Sequence, residues 1–308
     1  MKTQAQALLA AIQPDPATPV TPALATDAVL ISPVDVTPLN AEYKERNIVQ
    51  PFFGSRPKIV TGEHVQLSFE VEIAGYQGLG VPNDGLSTLL RICTLQETIV
   101  ATTSVDYALA GGNYEIGTLY FYYDTLLHQV TNARGTVSAS ISANGIPSWK
   151  FTIFGLFSPV TDASVGNQVL TMYQQPVEVN SANTTVNLFG QSVQLVSCDI
   201  DLGVGTKFND LPGGSKEIAI TGRDVTGKIT FMGHSVATYD WIGTVRSETT
   251  GALSLAHGPA GNRVSFAAPR IQLTNPSYGD RDGEMTMSLD MALLPTSAGN
   301  DEITIQVL

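Results

Sequence analysis

Charge is scarce in this chain. Asp, Glu, Lys and Arg together make up 14% of its 308 residues, against roughly a quarter in an ordinary soluble protein. Surfaces that neighbours cover are depleted of Lys, Glu and Asp, so this poverty suits either a protein hidden among copies or partners or a Thr-rich secreted β protein. Basic residues are the scarcer sign, 16 against 28 acidic, giving a net charge of −12. That balance argues against a nucleic-acid binder, because such affinity comes mainly from cations that neutralise phosphates and release counterions. It leaves room for a protein that lets DNA pass without holding it.

Cysteine is nearly absent. Cys93 and Cys198 stand far apart in unrelated contexts, so neither a disulfide framework nor a metal-ligand cluster is signalled and both are expected to be small buried hydrophobes. Apolar runs of about 18 residues are lacking too, so no spanning helix is expected. The opening "MKTQAQALLAAIQPDPA" has one Lys and an apolar stretch interrupted by Gln4 and Gln6 and ended by Gln13. It lacks a cleavage-site pattern, which favours a short helix or a mobile arm over a secretory signal.

Catalytic constellations are missing as well. His64, His128, His234 and His257 occur singly, and no nucleophile elbow or phosphate loop is present. "GYQGLG", with Gly75, Gly78 and Gly80, departs from the dinucleotide fingerprint and is expected to be a flexible loop. "YGDRDGE" groups Asp280, Asp282 and Glu284, yet no twelve-residue calcium loop follows, and a tight turn between strands explains the Asp and Gly better. The "NTT" sequon at Asn183 lacks a secretory context. Asp199 and Asp201 alternate with apolar residues and fit the wet face of a strand rather than an acid pair. No enzyme, cofactor or metal is therefore expected.

What is present is strand pattern. "HVQLSFEVEI" alternates Val65, Leu67, Phe69, Val71 and Ile73 with polar residues, and "EMTMSLDM" sets Met285, Met287, Leu289 and Met291 against Thr286, Ser288 and Asp290. Two short helices interrupt the strands. "DGLSTLLRIC" places Leu86, Leu89, Leu90 and Cys93 on one face with Asp84 as a cap, and "TYDWIGTVRS" offers Trp241, Ile242 and Val245 behind a cap at Asp240 or Thr238.

These helices expose an internal repeat. "KIVTGEHVQLSFEVE" precedes the first and "RDVTGKITFMGH" the second; later "LLHQVTNARGTVSASIS" parallels "RIQLTNPSYGDRDGEMTMSLD", and each unit closes on a further strand, "SWKFTIFG" or "DEITIQVL". Three collinear matches favour tandem duplication of a domain of roughly 100 residues. The expected organisation is a Pro-rich extended arm over 1–56, a first domain over 57–158, a linker over 159–185 and a second domain over 186–308. Seven prolines between Pro14 and Pro51 argue that the arm cannot form a continuous ladder. The fold class is mainly β (α+β), with two tandem β-sandwich or barrel domains carrying one short helix each.

Aromatic residues mark candidate contact sites. Tyr120, Phe121, Tyr122 and Tyr123 follow one another in a strand, which sends aromatic surface to both faces. Either Tyr120 and Tyr122 face a neighbour while Phe121 and Tyr123 face the core, or the reverse, or the tyrosines lie along their own surface. "NRVSFAAPR" stands as the counterpart of this strand in the second unit. Phe52 and Phe53 in "PFFG" serve either as an anchor on a neighbour or as packing on their own domain.

The tandem units, the block "QVTNARGTVSASISANGIPSWKFTIFGL" and the ending "DGEMTMSLDMALLPTSAGNDEITIQVL" resemble the major tail tube proteins of long-tailed, siphovirus-like bacteriophages. The resemblance covers about residues 57–308 and is one of arrangement more than of signature residues. It implies a structural virion protein, made in the bacterial host cytoplasm, whose rings stack into a hollow tail tube for DNA ejection. A chain with two tube domains would complete a six-domain ring as a homotrimer with pseudo-sixfold symmetry. The resemblance implies as partners other tail proteins, such as the tape measure, terminator and tip, with genome DNA passing through unbound and no membrane. Acidic lumen walls would repel phosphates. Candidate subunit-interface residues are Phe52, Phe53, Tyr120 and Tyr122. The first unit departs from the second by "YQGLGVPNDG" and "TTSVDYALAGGNYE". The alternative is a tail-tip or surface-binding β-sandwich module that recognises the host or a carbohydrate.

Overall fold

The structure is a computed structural model that describes residues 5–308. It is mainly antiparallel β with two short helices, as the alternating patterns predict. The first half of the chain forms β1 (Gln6–Gln13), β2 (Ala28–Val29), β3 (Asp35–Glu45), β4 (Lys58–Glu72), α1 (Asp84–Ile92), β5 (Leu95–Val100), β6 (Ser104–Leu109), β7 (Ile116–Tyr123), β8 (Leu126–Ser142), β9 (Ser148–Leu156) and β10 (Thr161–Asp162). The second half forms β11 (Thr184–Leu188), β12 (Gln191–Ser192), β13 (Leu195–Asp201), β14 (Val204–Asn209), β15 (Glu217–Arg223), β16 (Thr226–Met232), α2 (Trp241–Arg246), β17 (Thr250–His257), β18 (Val264–Arg281), β19 (Glu284–Leu293) and β20 (Thr304–Val307).

Eight strands join side by side in the order β3-β4-β9-β8-β13-β16-β19-β18, every neighbouring pair antiparallel. Alternation decides which face is dry. Val65, Leu67, Phe69, Val71, Phe151, Ile153, Val137, Ile141, Ile200, Ile229, Phe231 and Leu289 are buried on one face, and the residues between them point the other way. Met285 is the exception in its strand, being exposed, while Thr286 is buried.

A second layer covers the dry face. Strand β7 lies between β1 and the first half of β8, and β17 between β11 and the first half of β18. Strands β8 and β18 thus serve both layers. Each changes layer at a bulge, between Thr131 and Arg134 or between Thr274 and Ser277. Asn132 and Asn275, within these bulges, hold φ of 50° and 49°, a left-handed conformation that Asn tolerates better than most residues. The packed interior is one cluster through both halves, with Trp149 and Phe266 in ring contact at 5.4 Å.

The stretch expected to be an irregular arm divides into three parts. Its beginning is neither helix nor mobile segment: β1 runs its full length against β7, with Leu8, Leu9 and Ala10 buried. Ala, Leu and Gln favour helix in isolation, but burial on both faces and a waiting strand edge override so weak a preference. Residues 14–34 are mostly irregular, as the prolines predict. Strand β3 then pairs with β4 in a long hairpin whose tip, residues 46–57, leaves Val49, Phe52 and Phe53 exposed.

Both helices occur where their spacing places them. Helix α1 is capped one residue earlier than expected, by Asn83, whose Oδ1 accepts from the Leu86 amide at 3.3 Å; Asp84 becomes its first residue. Leu86, Leu89, Leu90 and Ile92 are all buried, and Arg91 holds Glu115 through two 2.6 Å bonds. Helix α2 is capped by Asp240, whose carboxylate accepts from the Gly243 amide at 2.8 Å. It buries only Trp241. The segment between the halves begins its strand at β11, as read from "TTVNLFG", and is pinned beforehand by a bridge between Tyr76 and Tyr173.

Candidate functional site: a polar sheet face and its two open edges

The wet face of the eight-stranded sheet crosses from the first half of the chain into the second without a break. Cross-strand partners share a face, so the registers place Glu70, Lys150, Ser138, Asp201 and Thr226 in one row. A neighbouring row runs through Glu72, Ser148, Ser140, Asp199, Lys228, Asp290 and Thr274. Asp35 joins this face through its pairing with Ser68. Seven carboxylates, Asp35, Glu70, Glu72, Asp199, Asp201, Asp290 and Glu284, therefore stand against Lys150, Lys228, Arg281 and Arg134 on a carpet of Ser and Thr.

Short side chains keep this face smooth and tie it down. Ser140 donates to Asp199 at 2.7 Å, Ser148 to Glu70 at 3.0 Å, and the hydroxyls of Thr230 and Ser288 meet at 2.8 Å. The Asn275 amide donates to Asp290 at 3.0 Å. A shallow groove of about 550 Å³ lies over Asp199, Asp201, Lys228 and Asp290. Such a surface, on which carboxylates outnumber cations, can repel an anion and hydrate it.

Where the halves meet, residues 138–142 of β8 pair with residues 201–197 of β13, and β20 pairs with β6. Arg134 spans this seam: its guanidinium donates to the Tyr114 and Ile218 carbonyls, both at 2.8 Å, and to that of Glu115 at 3.3 Å. Burial pulls its pKa below the usual arginine range. Arg223 closes the seam's other side through the Ala110 carbonyl at 3.0 Å and Glu302 at 3.1 Å.

The outer strands of this sheet have bare edges. Among the described residues β3 pairs only with β4. Strand β18 pairs with β17 only as far as Gln272, so beyond the bulge that edge is unoccupied. Leu39 and Tyr43 are exposed at the first edge and Tyr278 at the second.

Of the four aromatic candidates, Phe52 and Phe53 stand free at the β3–β4 tip. Tyr120 and Tyr122 are half-buried, on the face of β7 opposite the core-facing Phe121. That second face is partly covered by the chain itself, since Leu9 and Ala7, which pair with these tyrosines, are buried. The Val20 amide donates to the Thr118 hydroxyl at 3.3 Å on the same side. The fourth aromatic, Tyr123, packs against the core. The segment "NRVSFAAPR" is not the counterpart of β7, because it opens β18; the strand that pairs with β18 as β7 pairs with β8 is β17.

The remaining chemistry is quiet. Both cysteines are buried, and burial drives the Cys198 thiol to about 12 and raises that of Cys93 as well, far from thiolate reactivity. His257 is held between the Thr184 hydroxyl at 2.8 Å and the Val177 carbonyl at 3.2 Å. A carbonyl can only accept, so Nε2 carries the proton and Nδ1 accepts from Thr184. Burial lowers the pKa of His257 and of His128. Among the described residues no group of three His, Cys, Asp or Glu side chains converges. Residues 281–284 form the turn between β18 and β19, with Asp282 and Gly283 at φ of 55° and 87°, a two-residue hairpin of the kind Asp-Gly favours. No described helix is long and apolar enough to cross a membrane.

The polar face was legible only piecewise, as the alternation of "TVSASIS", "SCDID" and "MSLDM"; what joins these pieces is pairing between strands far apart in sequence. No protein-family model matches the chain, and no curated protein matches it.

Proposed function

We propose that this chain is a structural subunit of a bacteriophage tail tube, and that three copies close into a ring of pseudo-sixfold symmetry. Each half of the chain supplies four strands to the polar sheet in corresponding order, β3-β4-β9-β8 and β13-β16-β19-β18, which fits two tandem tube domains per chain. The observation that carries the reading is the unbroken polar face, on which seven carboxylates outnumber two lysines and two arginines. Curved inward and closed by neighbours, it makes a channel wall that phosphates do not stick to. DNA passes such a wall on a hydrated, weakly repelling surface. The exposed tip bearing Phe52 and Phe53 serves as a contact between stacked rings, and the half-buried Tyr120 and Tyr122 lie along a subunit contact, with ring and hydroxyl satisfied together. Tape-measure, terminator and tip proteins are the expected virion partners.

Purified protein examined by native mass spectrometry and negative-stain microscopy is expected to give trimers, rings or tubes with a central hole. A particle that stays monomeric and solid at high concentration overturns the reading. In assembled particles, Asp199→Lys with Asp201→Lys is expected to leave tubes intact and to slow DNA release. Unchanged release removes the electrostatic account of the channel.

A further inference from the structure

The seam inside the chain offers a pattern for a contact between copies. We infer that the open edge of β18, residues 277–281, pairs antiparallel with the open edge of β3, residues 41–45, of a second copy of this chain, head to tail.

The argument is one of equivalent positions. In β8 the left-handed Asn132 marks the bulge, and residues 138–142 beyond it take β13 on the edge that β7 has vacated. In β18 the left-handed Asn275 marks the same bulge, and the edge that β17 has vacated is empty. Counting six residues from each Asn matches Ser138 with Arg281. On the partner side, Arg134 and Gln66 both pair with Phe154, as Ser277 and Thr230 both pair with Ser288. Gln66 thereby corresponds to Thr230, and their outer partners, Thr37 and Ser197, correspond in turn. Asp201, which pairs with Ser138, lies four residues past Ser197. The same step from Thr37 brings Arg281 of one copy opposite Ala41 and Glu42 of the next.

Chemistry agrees with the register. With Arg281 opposite Glu42, Lys44 falls opposite Gly279 and Asp280 opposite Tyr43; Glu42 and Lys44 pair with each other at 2.8 Å and are largely exposed, so Arg281 gives Glu42 a second cation. Pro38 lacks an amide hydrogen, so the ladder begins after it. The exposed Tyr278 gains a partner surface in Tyr43. Two bare edges that fit each other but cannot meet within one chain define a heterologous contact, which closes into a ring or runs on as a filament. This inference rests on the reading of the chain as two repeated units and supplies the contact that the proposed ring needs.

The test is disulfide trapping in the full-length chain with Glu42→Cys and Arg281→Cys, and with Ala41→Cys and Arg281→Cys to allow for register. Cys93 and Cys198 are buried and give little background. Under mild oxidation at least one pair is expected to shift most of the protein to covalent dimer and closed trimer on a non-reducing gel. Reductant should reverse the shift, and each single-cysteine variant should stay at monomer size. Trimers in native mass spectrometry that neither pair traps overturn this seam and leave the tube reading standing. Protein that remains monomeric and untrapped overturns both, and trapping within a single chain overturns the seam.

Discussion

The two long hairpins of this molecule solve one problem by different means. Strands β3 and β4 form one continuous hairpin that adjusts through two register shifts, between Thr37 and Asn40 and between Asn40 and Glu42. In the second half the corresponding hairpin is broken in two: β13 pairs with β16, and the chain then turns into a separate sheet of β14 and β15. The break falls at Gly203, where φ is 57° and an added Cβ would lie 2.1 Å from the Asp224 carbonyl. Gly62 in the first hairpin has φ of 64° but nothing nearer than the Phe208 ring at 4.0 Å. One hairpin therefore depends on a close backbone approach and the other only on a backbone conformation. The two meet side by side, with His64 stacked on Phe208 at 5.4 Å.

The largest expected effect breaks that difference directly. Gly203→Ala adds a clash to an unfavourable conformation and should cost about 3 kcal/mol or more, whereas Gly62→Ala should cost about 1 kcal/mol. Equal shifts in the denaturation midpoints would refute the contrast. The two helices offer the next comparison. Leu89, fully buried in α1, should lose about 3 kcal/mol on replacement by Ala. Ile242, exposed in α2, should lose about 0.5 kcal/mol or less. Thermal melts of both variants check whether α1 is a core element and α2 a lid held by Trp241.

Arg134 sharpens the comparison of the filled seam with the bare edges. Arg134→Met strands three carbonyls without their donor and should cost about 2 kcal/mol. Hydrogen exchange is expected to quicken in β15 and around Tyr114, and to stay unchanged at the already bare end of β18.

The smallest effect concerns pH. Burial lowers the pKa of His257 in the folded chain below its ordinary 6.5. As pH falls through that value the unfolded chain takes up the proton first, so stability present above it is lost on acidification. His128 shifts the same way. His257→Gln should flatten the loss between neutral and mildly acidic pH, read from melting temperature against pH. An unchanged slope would assign the effect elsewhere.

How much the sequence disclosed depends on the range of the forces involved. Residues 64–73 were legible because one face is wet, and α1 because Leu86, Leu89 and Leu90 share a stripe. The cap moved to Asn83 because Asn and Asp compete closely for that position. Strand β1 was hidden: both faces are buried, so its residues show no alternation, and its composition favours helix. Phe121 could be assigned to the core only once Leu119 was seen buried on the same face. The polar face is written in local alternation, yet its continuity across β8 and β13 depends on a contact between residues about sixty positions apart that no local pattern records. The bulges at Asn132 and Asn275 left a trace in the repeated Thr-Asn, readable as a repeat before it was readable as a bend.

The tethered seam between β8 and β13 also bears on how fast particles can form. Because both strands belong to one chain and the connecting segment is pinned at Tyr173, their encounter is intramolecular, at an effective concentration on the order of millimolar rather than that of free protein. In the proposed ring, three chains would need two diffusive encounters where six separate domains would need five. Folding itself would then complete three of the six seams, and dilution would slow only the others.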